Sequence, residues 1–450
     1  MSEKSILKVN SNILTINNCK SDELDYYLKS ESFEKNINSS IKNGTINEIN
    51  TFISNLNILN KFNFQFCNIK KIKYYSYAYN LDEHILFDDL PESLEELDIS
   101  RIDVKNLNNL PQNLKILKFK CCDLSLENLP NKLESLEIVT GSDLNFEYLP
   151  SSLTSLKINF VNTQLNSNLD SLPSSLKNLE IYGSFTGPLN NLPPGLQRLY
   201  IPSKYELEIF NLPIGLIELK IGLNYKFLKN IFSNKNAEKY NLKILKIGHP
   251  FKSHSTDQSN FDITSIPQTV EHLEFGDEFN QRITWLPPNL KYLLFGFNFR
   301  QSIDINYNLP DSIETLIFGY NFNNNIYQYP ANLKYLKFGR NYSSCIKNLP
   351  NNLEHLVINE RFHDKIYLPE NLKILEFDES SEFTYNLILP NSIEILILGK
   401  YCKSGIDKIP TNLKEITLSQ SNKLVKTKLE ESGFTGVINY YQKNDQYIDT

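Results

Sequence analysis

The stretch Leu349-Pro350-Asn351-Asn352-Leu353-Glu354-His355-Leu356-Val357-Ile358 holds the rule by which most of this chain is built. Far upstream the same rule reads Leu90-Pro91-Glu92-Ser93-Leu94-Glu95-Glu96-Leu97-Asp98-Ile99. The shared order is L-P-x-x-L-x-x-L-x-[IF], with a further apolar position about sixteen residues after the proline. The proline falls at 91, 111, 130, 150, 173, 193 and 213, then at 267, 287, 310, 330, 350, 369, 390 and 410. These fifteen are most of the twenty prolines in the chain, so the beat is not chance. Self-similarity at a short fixed period marks a solenoid, in which each unit cannot bury its apolar face alone and stacks on its neighbours.

Within one unit the spacing predicts a short strand. Leu356 and Ile358 point one way while His355 and Val357 point the other, a period of two. Proline lacks an N–H and fixes φ, so it belongs outside the ladder and biases the preceding leucine toward extended backbone. A coil this short leaves no room for a regular helix on its back, where extended or 3₁₀ segments are expected. The expected fold is a β-rich solenoid: a right-handed superhelix with one parallel sheet on its concave face and short extended or 3₁₀ segments on its convex face.

Two departures from the beat are informative. Between Pro213 and Pro267 the interval doubles, and Leu242-Lys243-Ile244-Leu245-Lys246-Ile247 reads as a coil that has lost its proline. A polar stretch near 248–262 then reads as a loop protruding from one edge. Residues 1–88 match the strand pattern loosely, at Leu14-x-Ile16 and Leu59-x-x-Phe62-x-Phe64-x-x-Cys67, and are expected to form an amino-terminal cap or degenerate repeats. Residues 89–419 are the solenoid, and 420–450 a carboxy-terminal cap. In that cap Lys423 to Ser432 predicts a short helix stopped by Gly433.

Composition bounds the function. The net charge is −6 and lacks the basic footprint of a nucleic-acid binder. The start of the chain carries charges of both signs and no long apolar run follows, so neither a secretory signal nor a membrane span is expected. A cytoplasmic protein follows as the expectation. Cys19, Cys67, Cys121, Cys122, Cys345 and Cys402 contain no C-x-x-C pair or zinc spacing, and read as reduced structural thiols.

No phosphate loop, zinc-protease, nucleophile-elbow or dinucleotide motif occurs. His272 and His355 share one strand position but lie four coils apart, too far to hold one metal. His249, His254 and Asp257 form a local trio on the polar loop, with no second cluster beside it. No catalytic residue, cofactor or metal is therefore assigned, and the chain reads as a non-enzyme.

Outward strand positions carry more. Just after the first triad residue, successive coils read Glu271, Lys291, Glu314, Lys334, Glu354, Lys373, Glu394 and Lys414. The sign alternates, so stacking sets each charge beside opposite ones and the row reads as a register-holding ladder. The next two outward positions include Tyr292, Leu294, Ile317, Tyr335, Val357, Ile374, Ile395 and Ile397. Earlier coils place Glu96, Asp98, Lys118, Glu137, Lys157, Glu180, Glu218 and Lys220 there. The apolar set reads as a partner-binding strip for another protein; cover by a loop or by the tail, or selection of Tyr and Ile by β-propensity alone, are the alternatives.

The pattern L-x-x-L-x-[IF]-x-x-[NC] resembles the leucine-rich repeat. Asn224, Asn298, Asn321, Asn341, Cys67 and Cys122 occupy its ninth position, and the resemblance implies that this residue bonds the backbone of the turn leaving the strand. From Phe275-Gly276-Asp277-Glu278-Phe279-Asn280-Gln281-Arg282-Ile283 to Ile346 the chain resembles the FNIP repeat more narrowly. Family habits imply a second role, substrate receptor of a ubiquitin ligase docking an adaptor of that ligase through residues 1–88. No clear F-box string of Leu-Pro, Leu and Trp is present there.

Overall fold

A computed structural model describes residues 7–10, 13–16, 40, 43, 46–51, 68–74, 87, 90–165, 167–222, 225, 227–233, 240–248, 263–303, 309–359, 366–379, 386–402 and 405–441. It divides into two compact units, Met1–Leu216 and Ile217–Thr450. Both are parallel β-solenoids, and each is taken by itself.

The local cause of the coil lies in the proline turn. At each of the fifteen register prolines the carbonyl accepts the N–H of the triad residue three positions on, from Pro91 with Leu94 (3.0 Å) to Pro410 with Leu413 (3.1 Å). Proline therefore opens a β-turn in which its missing N–H costs nothing. Past the turn, two successive N–H groups converge on one carbonyl of the coil before. Lys334 and Tyr335 both donate to Glu314 O, and Glu354 and His355 both donate to Lys334 O. Where it occurs, this shared acceptor fixes a coil against the one before it at the start of the strand.

In the first unit the strands are β1 (Leu7–Asn10), β2 (Ile13–Ile16), β3 (Glu48–Thr51), β4 (Lys71–Tyr74) and β5 (Glu96–Val104). They are followed by β6 (Ile116–Cys121), β7 (Ser135–Thr140), β8 (Ser155–Leu165), β9 (Asn178–Phe185) and β10 (Arg198–Tyr200). β1 and β2 are antiparallel, and from β2 onward each strand pairs in parallel with the next in sequence.

The second unit carries β11 (Glu218–Ile221), β12 (Ile244–Ile247), β13 (His272–Phe275), β14 (Tyr292–Leu294), β15 (Thr315–Ile317) and β16 (Tyr335–Lys337). Then come β17 (His355–Ile358), β18 (Ile374–Phe377), β19 (Ile395–Ile397), β20 (Glu415–Leu418) and β21 (Val437–Tyr440), again parallel in chain order. The coil without proline is β12, paired with β11 and β13 in register. A six-residue helix, α1 (Leu228–Ser233), precedes it and was not expected from the beat. The carboxy-terminal helix α2 (Lys423–Ser432) starts at Asn422, whose side chain accepts from Val425 N, and ends at Gly433 with φ 66°. Only a residue free of a Cβ takes that left-handed turn cheaply.

Register keeps each triad position in one column. Leu273, Leu293, Leu316, Leu336, Leu356, Leu375, Leu396 and Ile416 pair in succession, and all are buried. Beneath them run two aromatic rails. Phe275, Phe295, Phe318 and Phe338 stack at 5.5–6.1 Å between centroids, and Phe279, Phe299, Phe322 and Tyr342 at 5.8–6.0 Å. Within each coil the two rails touch, for example Phe318 on Phe322 at 3.9 Å. Offset stacking of this kind adds about 0.5–1.5 kcal/mol per pair beyond area burial.

Glycine follows the first rail for a packing reason. A Cβ on Gly319 would stand 1.8 Å from Gly296 O, and one on Gly339 1.7 Å from Gly319 O. Coils approach so closely at this column that no side chain fits between them.

Candidate functional site

Outward side chains of the second unit form two columns. The first runs His272, Tyr292, Thr315, Tyr335, His355, Ile374, Ile395, Glu415, and the second Glu274, Leu294, Ile317, Lys337, Val357, Glu376, Ile397, Thr417. All eight residues of the expected strip therefore stand on one face. They do not form one continuous apolar run, because Thr315, Lys337 and Glu376 interrupt it. Tyr292, Leu294 and Ile317 are half-buried neighbours on β14 and β15; Ile374, Ile395 and Ile397 are half-buried neighbours on β18 and β19. Tyr335 lies between these groups.

Val357 differs from the other seven, at 3 % exposed. Lys337 and Glu376 flank it in register and attract one another across it. His355 Nε2 lies 3.4 Å from Glu376 Oε2, and together with Lys337 holds that carboxyl below its usual range.

Aromatic rings organise the rest of the first column. His272 lies flat on Tyr292 at 4.0 Å and donates from Nε2 to Glu274 Oε1 at 2.6 Å. Tyr335 meets His355 edge-on at 4.7 Å. Burial raises the phenols of Tyr292 and Tyr335 above their ordinary value, so both stay neutral donors. At the far end Tyr441 is half-buried near Glu379, Glu376 and Asp378. Burial first, then those carboxylates, push its hydroxyl up to about 12.

The same positions in the first unit are satisfied among themselves. Lys71 pairs Glu96 at 2.7 Å, and Lys118 lies between Asp98 (3.7 Å) and Glu137 (3.9 Å). Lys157 reaches Glu137 at 2.8 Å and covers the Tyr182 ring, whose hydroxyl donates to Glu180. Desolvation by a partner is costly where every charge already has its pair.

The Glu/Lys ladder is present but resolves into groups. Glu271 is held by Lys243 (2.7 Å) and Lys291 (2.8 Å), so the row begins one coil earlier, in the coil without proline. Beyond it the pairs are Glu314–Lys334 (2.7 Å), Glu354–Lys373 (3.0 Å) and Glu394–Lys414 (2.6 Å). Between groups, as from Lys291 to Glu314, the attraction acts at longer range. A matching group, Lys70–Glu95–Lys115, stands in the first unit at 2.7 and 2.8 Å.

Beside the ladder a polar groove of about 400 Å³ is lined by Asn332, Lys334, Asn352, Glu354, Asn371, Lys373, Ser392, Glu394 and Asn412. Its floor side chains tie coils together: Ser392 donates to Leu372 O, Asn352 to Ala331 O and Asn371 to Asn351 O.

The ladder gives a pH test with a definite sign. Lysine hydrogen bonds lower the carboxyls of Glu95 and Glu271 to about 2, from 4.5. A depressed folded value means stability that is complete above about pH 4.5 and is lost as pH falls toward 2. Thermal midpoints should fall over that window, less steeply in Glu271→Gln and in 1 M salt, since the pairs are partly exposed and screened. Lys334→Glu sets a like charge beside Glu314 and Glu354 and should lower the midpoint slightly. An unchanged midpoint would remove the ladder from the stability argument.

The side chains at the described ninth positions, Asn298, Asn321, Asn341 and Cys122, do not make the expected bond to the backbone of the turn. Asn359, two residues earlier than the template position, is buried and donates to Phe338 O. Asn298, Asn321 and Asn341 instead bond one another, Asn321 Nδ2 to Asn298 Oδ1 at 3.2 Å and Asn341 Nδ2 to Asn321 Oδ1 at 3.0 Å. Cys122 does not take the buried position: it is exposed, and Cys121 is buried, with its thiol pushed up to about 12 by burial. β6 continues its alternation through Leu117, Phe119 and Cys121, which turns residue 122 outward.

Cys121, Cys122, Cys345 and Cys402 are free thiols. No group of three metal-ligating side chains occurs among the described residues. His249, His254, Asp257, Asn224, Cys19, Cys67 and Leu59–Phe64 lie outside the described residues. No described helix is long and apolar enough to cross a membrane.

Comparison with known proteins agrees with the coil geometry. The FNIP Repeat family matches residues 279–321. That segment includes Gly296 and Gly319 of the close-packed column and four of the eight stacked rings. No curated protein matches the sequence. Among solved structures the chain is similar to CroV588, described as a novel circular leucine-rich-repeat protein, at 25 % identity and a TM-score of 0.60. The likeness covers 98 % of this chain, which spans 61 % of the length of that one. A weaker likeness is to YopM from Yersinia enterocolitica, at 20 % identity and a TM-score of 0.39, over 78 % of this chain and 74 % of that one. Coil turn, sheet register, aromatic rails and glycine column agree with a solenoid of the leucine-rich-repeat class that carries an FNIP-repeat match at residues 279–321.

Proposed function

We propose that the chain is a non-enzymatic recognition scaffold that takes a protein partner on the outward strand face of its second unit. One observation carries the reading. Outward columns that are ion-paired in the first unit give way, from Tyr292 to Ile397, to half-buried tyrosine, leucine and isoleucine on a rigid sheet. Apolar side chains held on a fixed face lose little entropy on binding, and tyrosine is a frequent anchor of protein interfaces. Tyr292, Leu294 and Ile317 are the proposed centre, with Tyr335 beside them and Ile374, Ile395 and Ile397 as a second contact. Val357 supplies little area and serves the sheet. The receptor reading rests on residues 1–88, and no described feature favours it.

The test is affinity purification with mass spectrometry, run in parallel on the wild type and on Tyr292→Asp/Leu294→Asp/Tyr335→Asp. The partner recovered by the wild type should bind the variant at least about thirtyfold more weakly, the effect of losing one hot-spot side chain. Circular dichroism should not change. Equal binding by a folded variant would place the interface elsewhere.

A further inference from the structure

Three residues of one coil break the repeat together. Before the register proline the preceding coils carry Ile266, Leu286 and Leu309; here stands Tyr329. On the second rail Phe279, Phe299 and Phe322 give way to Tyr342. Three residues further on, where those coils carry Arg282, Ser302 and Asn325, this one carries Cys345.

Both phenols are enclosed. Tyr342 is fully buried and Tyr329 is 6 % exposed. The Tyr342 ring keeps the packing of its rail, 4.1 Å from Phe338 and 6.0 Å from Phe322 between centroids. Phenylalanine serves that packing in the coils before it, so the hydroxyl is what tyrosine adds. Neither hydroxyl has a hydrogen-bond partner among the described residues. A buried donor without an acceptor costs free energy, and two of them in one coil call for an acceptor. Burial raises both phenols above their ordinary value, which keeps them protonated donors.

Cys345 stands near this pair. Negative charge on its sulfur acts on both hydroxyls, and Tyr342 acts on Tyr329. Its side chain is a free thiol and half-buried, whereas Arg282, Ser302 and Asn325 are exposed. A small molecule can reach this sulfur from solvent, while the two hydroxyls are closed off. The thiol itself is a weak acceptor and bonds neither of them.

We propose that Cys345 is a site of oxidation by hydroperoxides, at which the oxygen gained by sulfur is the acceptor that Tyr329 and Tyr342 lack. The thiolate attacks one peroxide oxygen, the S–O bond forms as the O–O bond breaks, and sulfur gives up two electrons. The other peroxide oxygen takes them with the thiol's proton and leaves as water or an alcohol, so that Cys345 becomes a sulfenic acid. An added group must be small to meet hydroxyls this enclosed. A single oxygen is small enough, and a mixed disulfide with a bulky thiol is not. In the second unit the other described cysteine, Cys402, is buried three coils on, roughly 14 Å away at about 4.8 Å per strand. It is too far to close a disulfide with Cys345, so the sulfenic acid persists.

The test treats the full chain with hydrogen peroxide, traps sulfenic acids after a series of delays with a cyclic diketone, and quantifies each cysteine by mass spectrometry. Cys122, an exposed free thiol, is the reference. The sulfenic acid at Cys345 should outlive that at Cys122 by about fivefold or more, the weight of one hydrogen bond. Peroxide should also raise the thermal midpoint of the wild type, and Cys345→Ser should abolish that rise. Tyr342→Phe, alone and with Tyr329→Phe, should leave the reduced protein folded by circular dichroism and remove both the longer lifetime and the rise. Should the double variant misfold, Tyr342→Phe decides, since it installs the residue of the three preceding rails. A Cys345 that stays unlabelled overturns the proposal. So does a sulfenic acid there as short-lived as at Cys122, or one whose lifetime Tyr342→Phe leaves unchanged.

Discussion

Replacing Gly319 by alanine is expected to destabilise the second unit by on the order of 4 kcal/mol, among the largest effects of any single methyl group in this chain. The added Cβ would stand 1.8 Å from Gly296 O and 2.3 Å from Gly296 C. Both obstacles are backbone, held by the ladder on either side, so neither can step away as a side chain would. Relief requires opening the coil spacing, and that separates Phe295 from Phe318 and Phe299 from Phe322 as well. Gly215→Ala is the control. Its nearest neighbour would be Pro194 O at 3.5 Å, an ordinary contact, and alanine there should be neutral or stabilise by up to about 1 kcal/mol through the unfolded chain. Urea titration followed by circular dichroism measures both. Because repeat arrays open in segments, hydrogen exchange of the amides of β14 to β16 should report the Gly319 loss locally.

The second large effect is expected at Phe318. Its ring is buried, 5.5 Å from Phe295, 6.1 Å from Phe338 and 3.9 Å from Phe322 between centroids. Phe318→Ala leaves a cavity at the crossing of two rails, costing about 3–5 kcal/mol. Phe318→Leu keeps most of the volume and loses the stacking, so about 1–2 kcal/mol is expected. Phe297 tests whether stacking alone carries the effect. It stacks on Tyr320 at 4.6 Å but is exposed, and Phe297→Ala should cost about 1 kcal/mol or less. If Phe318→Ala and Phe297→Ala proved equally costly, burial would not be the dominant cause.

The two predictions show which kind of information the sequence carries. Leu-Pro and the triad were readable because the turn they specify is local: fifteen prolines accept the same i+3 bond. The coil at Leu242–Ile247 was readable without its proline, since the alternation of its strand survives, and Gly433 ended its helix as a residue able to take φ 66°. β21 escaped the pattern because Val437-Ile438-Asn439-Tyr440 has neither the proline nor the leucine triad. Cys121 and Cys122 exchanged roles because the template ended the strand after Phe119, whereas the ladder carries it to Cys121. Extending the period of two by one more residue would have revealed this.

The candidate surface divides in the same way. Sequence alone determined which residues share a column, since side-chain direction alternates strictly along a strand and the proline turn sets where counting starts. It also determined that opposite charges meet down the ladder. Tertiary structure decided how those charges group, with Glu271 shared by two lysines while Lys291 and Glu314 stay apart. It decided that Val357 is buried between Lys337 and Glu376, and that burial of Tyr441 raises its hydroxyl, with Glu379, Glu376 and Asp378 adding to the effect. These depend on side-chain reach between residues some twenty positions apart in the chain and about 4.8 Å apart in space, a distance that no local pattern encodes.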